Sequence, residues 1–168
     1  RDAEGLMELR RVAPEASLMA VRVLDGNGSG LSSGIGNGII YAGQEGADVI
    51  NLSLGGAGGA GDVYLKDALA VARSYDAVVV AAAGNEGNDN DNPAVAEYPC
   101  SYDLANVLCV GASRPDDRRA GFSNYGATSV DVGAAGVNIA STYTGSSYVY
   151  MSGTSMATPH VAGAAALV

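Results

Sequence analysis

Ser155 stands in the run Ser152-Gly153-Thr154-Ser155-Met156-Ala157-Thr158-Pro159-His160-Val161-Ala162-Gly163, just after a Gly-Thr turn and just before an alanine-rich stretch that reads as a buried helix. A hydroxyl there sits at a helix N-terminus, where backbone N–H groups lack partners within the helix and the dipole favours negative charge. Such a position suits a nucleophile whose product is an oxyanion. It suits an ordinary N-cap as well, since Ser and Thr commonly start helices. A serine nucleophile needs a base, and the chain has one histidine, His160. Five residues along a helix turn that imidazole about 140° from the serine face, so His160 reads as a packed core histidine. Lys66, the single lysine, falls on the polar side of an expected surface helix, and no Ser-x-x-Lys pattern surrounds Ser155. A Ser-Lys pair is therefore not expected.

The segment Ala81-Ala82-Ala83-Gly84-Asn85-Glu86-Gly87 ends an apolar run on an asparagine. Sites assemble at strand ends in parallel sheets, and an amide there can donate to developing negative charge. The alternative for Asn85 is a turn residue that tolerates left-handed geometry. A competitor from another class is Gly56-x-Gly58-x-x-Gly61, placed between a strand and a helix as a dinucleotide fingerprint would be. With 24 glycines in the chain a chance match is easy, and the following strand leads into Gly84-Asn85-Glu86 rather than an isolated acidic tip.

The elements that must hold these residues alternate. Arg1 to Arg11 is charged and patternless, and Val12 to Glu15 reads as a turn around Pro14. Ser17 to Leu24 reads as a buried strand ending at the turn Asp25-Gly26-Asn27-Gly28, and Ser29 to Gln44 as a helix with Leu31, Ile35, Ile39 and Ile40 at helical spacing. Asp48 to Leu54 repeats the strand signal, Gly55 to Gly61 is a glycine loop, and Asp62 to Tyr75 is an amphipathic helix. Ala77 to Ala83 is apolar on both faces, as a central parallel strand is. A polar loop is expected over Asn85 to Glu97, then short strands at Val107 to Ala112, Val130 to Val132, Asn138 to Thr142 and Tyr148 to Met151, and a last helix from Ser155. Alternating β and α elements imply an α/β fold with an open parallel sheet covered by helices.

The chain has 168 residues, 48% of them hydrophobic, enough for one domain with a core. No apolar run is long and charge-free enough to cross a bilayer. A net charge of −9 argues against a nucleic-acid surface, which needs a basic stripe. Cys100 and Cys109, nine positions apart, fit neither redox nor zinc spacing. They close a small disulfide loop suited to an extracellular setting, or they are two buried thiols.

The run around Ser155 closely resembles the nucleophile segment of the subtilases, the subtilisin-like serine proteases, whose pattern G-T-S-M-A-x-P-H-V-A-G carries the catalytic serine. The resemblance extends from about Val12 to Val168 and implies a three-layer α/β fold, mostly parallel sheet flanked by helices. It makes Ser155 the nucleophile and Asn85 the oxyanion-hole amide. Ser53, Leu54 and Gly55 correspond to the strand that pairs with the substrate backbone. Ala82, Ala83 and Gly84 form the opposite wall of the specificity pocket, with room for a sizeable apolar side chain and Glu86 at its rim. Tyr98-Pro99 matches a position that often holds a cis peptide, against an ordinary trans turn as the physical alternative. Asp131, after Phe122-Ser123-Asn124-Tyr125-Gly126, resembles a calcium ligand of the proteinase K branch, together with the carbonyls of Asn106 and Leu108; a solvated loop aspartate is the alternative. Catalysis in this family uses no cofactor, so calcium would be structural. The chain departs from the family at Ala134-Ala135-Gly136, where proline commonly precedes the glycine.

The family takes its catalytic Asp and His from segments N-terminal to everything matched, and neither an H-G-T-H-V-A-G string nor a D-T-G-like segment occurs here. The expectation is therefore one partial domain over residues 1–168, lacking those segments and incomplete on its N-terminal side. As part of a longer, extracellular protein it would be a serine endopeptidase; alone it would be inactive. Expected partners are a peptide or protein substrate, the missing N-terminal part of the domain, and a propeptide, with no nucleic acid and no membrane. The alternatives are a non-catalytic subtilase-like binding module and the nucleotide-binding α/β domain.

Overall fold

The computed structural model describes residues 12–58 and 62–168. The charged stretch Arg1 to Arg11, and Gly61 of the glycine motif, lie outside the described residues. Three helices, α1 (Ser32–Gln44), α2 (Val63–Ser74) and α3 (Thr154–Ala165), accompany eight strands: β1 (Val49–Leu52), β2 (Gly56–Ala57), β3 (Val78–Ala82), β4 (Glu97–Tyr98), β5 (Val107–Ser113), β6 (Val132–Ala135), β7 (Ile139–Tyr143) and β8 (Ser147–Met151).

The central sheet runs β1-β3-β5-β6, and every pair in it is parallel. A parallel sheet is covered on both faces, which is why β3 carries valine and alanine on both. Val79, Ala81 and Ala83 pack with Val107 and Cys109 under Ile39 and Ala42 of α1 and Leu65, Leu69 and Ala72 of α2. Val80, Val110 and Ala112 pack on the other face with Ala157 of α3. The result is three layers, helices over sheet over helix. Fully burying each Val or Leu contributes roughly 1.5–3 kcal/mol.

The helix ends follow local rules. Asp62 caps α2, its side chain accepting the Leu65 N–H at 3.0 Å, an interaction that typically stabilises by about 1 kcal/mol. That capping carboxylate occupies the helix start where a dinucleotide phosphate would have to sit. Gly56 and Ala57 meanwhile form β2, paired with β4.

Several expectations need correction. Ser17 to Leu24 forms no strand, because a strand needs a hydrogen-bonded neighbour and none of the described residues pairs with it. Leu18 is 89% exposed. Helix α1 starts at Ser32 rather than Ser29, since Ser29 is tied into the Asp25 turn by its N–H to the Asp25 carboxylate. The polar loop after Asn85 ends in a two-residue strand, β4 (Glu97–Tyr98). Strand β6 begins at Val132 because Val130 packs under the sheet and Asp131 closes onto Cys109. Cys100 and Cys109 form a disulfide, with both residues buried. The Tyr98-Pro99 peptide is cis.

Candidate active site

Ser155 is the second residue of α3, directly after Thr154. Its hydroxyl donates to the Ser53 carbonyl at 3.1 Å, just past the C-terminal end of β1. At this helical position its own N–H has no acceptor within α3. The alanine-rich helix lies on β3 and β5 with Ala157, Thr154 and Thr158 buried, so the sheet fixes where its first turn points. Pro159 within the helix carries no N–H for the Ser155 carbonyl.

Asn85 follows Gly84 at the end of β3. Its Oδ1 accepts the Thr154 N–H at 2.8 Å and the Thr154 hydroxyl at 3.2 Å. Because the carbonyl end of the amide is held by α3, the donor end, Nδ2, is left without a protein partner among the described residues. Thr154 is buried and also accepts the Gly84 N–H at 3.2 Å. One hydroxyl thus joins the end of β3 to the start of α3. Two donors that suit an oxyanion, the Ser155 N–H and Asn85 Nδ2, come from the two elements so joined.

The loop beyond Asn85 is held from below by Asn124, 1% exposed. Its Oδ1 accepts the N–H groups of Glu86 and Asn88, each at 3.0 Å, and its Nδ2 donates to Asn90. Asn90 in turn donates to the Ala83 carbonyl at 2.8 Å. Gly84 has φ of +104°, and a Cβ there would run into the Asn124 amide, so the turn requires glycine.

Ser53, Leu54, Gly55, Ala82, Gly84, Asn85, Glu86 and Ser155 all line one cleft of about 290 Å³, together with Thr154, Glu97, Leu24 and Gly28. Of the residues assigned to substrate binding from sequence, Ala83 is the exception. It follows β3 directly, and its side chain is fully buried in the core on the face covered by α1 and α2, with Val79 and Ala81. Glu97, Thr154 and Asn124 were not assigned to the site from sequence. Thr154 and Asn124 stood inside the motifs already noted; Glu97 carried no local signal, since its place comes from the pairing of β4 with β2.

The base is not in this arrangement. His160 Nδ1 lies 2.9 Å from the Met156 carbonyl one turn back. With an oxygen acceptor that nitrogen carries the proton, and the ring is tied to its own helix. The hydroxyl of Ser155 rests on a carbonyl, which cannot take its proton.

Asp131 exchanges two hydrogen bonds with Cys109, giving its N–H to the carbonyl and taking the Cys109 N–H on Oδ2 at 2.8 Å. The Asn106 carbonyl accepts the Val79 N–H at 2.7 Å. To calcium this set offers one unshared carboxylate oxygen and the second lone pair of carbonyls, a modest oxygen donor set. Among the described residues, no three His, Cys, Asp or Glu side chains gather as a metal site.

The profile of the subtilase family, Peptidase S8, matches residues 3–168. The chain belongs to the subtilase family. It is 53% identical over 157 residues to the thermophilic serine proteinase of Bacillus sp. (strain AK1), covering 94% of this chain and 37% of that protein. It is 49% identical over 156 residues to thermitase of Thermoactinomyces vulgaris, covering 93% of this chain and 52% of that one. Among solved structures, a cold adapted subtilisin-like serine proteinase superposes with a TM-score of 0.82 at 38% identity, over 93% of this subtilase chain and 54% of its own. The chain thus spans about a third to a half of the length of these relatives. The subtilisin-like α/β fold, a mostly parallel sheet between helices, holds as expected.

Proposed function

We propose that this chain supplies the nucleophile half of a subtilisin-type serine endopeptidase. Ser155 Oγ attacks the scissile carbonyl of a peptide or protein. Its proton passes to a histidine, oriented by an aspartate, both carried by a part of the domain outside this chain. The developing oxyanion takes hydrogen bonds from the Ser155 N–H and Asn85 Nδ2, the histidine returns its proton to the leaving amine, and the resulting acyl-enzyme on Ser155 is hydrolysed by water with the same histidine as base. The observation that carries this reading is the hold of Thr154 on Asn85 Oδ1, which leaves the donor end of the amide unpaired in the cleft where Ser155 stands.

Ser53, Leu54 and Gly55 along one wall suit pairing with an extended substrate backbone. The buried disulfide supports an extracellular location, and no helix among the described residues is long and apolar enough to cross a membrane. A propeptide and the remainder of the domain complete the expected partners. Calcium at Asp131 with the carbonyls of Asn106 and Leu108 is proposed as a structural ion only. The test is hydrolysis of an unfolded protein by the full-length protein, compared with its Ser155→Ala variant and with the 168-residue chain by itself. Turnover by the full-length protein, lost in the variant and negligible in the isolated chain, is expected. Turnover that survives Ser155→Ala rejects the assignment.

A further inference from the structure

The cleft beside Ser155 carries charge of one sign. Glu86 and Glu97 line it, and among the described residues no lysine, arginine or histidine does. Glu86 is fastened in place, its Oε2 accepting the Asn85 N–H at 2.8 Å. Glu97 is brought in by β4, which pairs with β2 in the register Ala57 to Glu97. Its side chain lies along Gly55: a Cβ on that glycine would stand 3.0 Å from Glu97 Oε1 and 3.2 Å from its Cγ. The missing side chain at position 55 is what gives the carboxylate its room.

No hydrogen bond reaches the Glu97 carboxylate among the described residues, although the residue is half-buried. Burial, and then the negative charge of Glu86, raise its pKa. A partly desolvated carboxylate facing a second one is in want of a counter-charge. A cleft of about 290 Å³, near the lower end for ligand pockets, has space for one long side chain.

We propose, building on the endopeptidase reading, that this cleft takes a lysine or arginine side chain of the substrate, with Glu97 as the main counter-charge and Glu86 as the second. The apolar preference expected from the family resemblance is replaced by a cationic one. The small wall residues, Gly55, Ala82 and Gly84, contact the methylene stem, and the charged head reaches the carboxylates. Arginine is the better fit, because its planar fork can engage two carboxylate oxygens at once.

The test is a binding measurement that does not need catalysis. The full-length protein carrying Ser155→Ala is titrated calorimetrically with a pair of short peptides that differ only in arginine against citrulline, its uncharged near-isostere. Arginine is expected to bind about tenfold or more tightly, and Glu97→Gln to cut that ratio to about threefold or less. Equal binding of the two peptides overturns the proposal, as does a ratio that Glu97→Gln leaves unchanged. Failure of the endopeptidase reading shows up elsewhere, as turnover that persists without the Ser155 hydroxyl.

Discussion

At the scale of single residues the site depends on Gly84 and Thr154 as much as on Ser155. Gly84 holds a left-handed φ with the Asn124 amide pressed against the place of its Cβ. Gly84→Ala should therefore destabilise the protein by about 1–3 kcal/mol and displace Asn85. A chemical denaturation curve reads the first effect, and an unchanged midpoint would count against the strained turn. Glu97 gives a pH-dependent prediction. Its folded pKa is raised, by burial and then by Glu86, so its contribution to stability is present below the unfolded value and lost as pH rises through the folded one. At neutral pH the ionised carboxylate is a cost. Glu97→Gln is expected to raise the melting temperature at pH 7 and to leave it unchanged near pH 3. A shift of equal size at both pH values would contradict that sign.

At the scale of elements, what was legible in the sequence was what is local. The apolar period marked α1 and α2, the valine run marked β3, and the Gly-Thr-Ser start placed Ser155 in the first turn of α3. Pairing is not local, and there the reading fell short. Ser17 to Leu24 has the composition of a strand but, among the described residues, no neighbour to bond. Glu97 and Tyr98 have no strand signal, yet β2 recruits them, and that contact alone brings Glu97 into the cleft. The side chain of Ala83, which the resemblance places on the pocket wall, packs into the core directly after β3. The tie between β5 and β6 is where calcium would act. Chelation is expected to lower the melting temperature of the full-length protein and to have no effect on Asp131→Asn. A melting curve that chelator does not move would remove calcium from the account.

At the scale of the whole molecule, the chain covers 93–94% of itself against the relatives compared but only 37–54% of them. Leu18 is 89% and Leu31 is 78% exposed, and among the described residues β1 ends the central sheet with one edge unpaired. Such an edge invites pairing with another strand. The proposed nucleophile Ser155 and the two proposed oxyanion donors come from the first turn of α3 and the turn that follows β3, and the one histidine is bound to its own helix. The claim at the centre is that Ser155 is the nucleophile of a site completed by another part of the domain. A fluorophosphonate probe, which modifies a serine only when a base activates it, tests this in the full-length protein by mass mapping of the labelled peptide. The account predicts one adduct, on Ser155 in the peptide containing Gly153-Thr154-Ser155-Met156. An adduct on a different residue, with Ser155 unmodified, would contradict it.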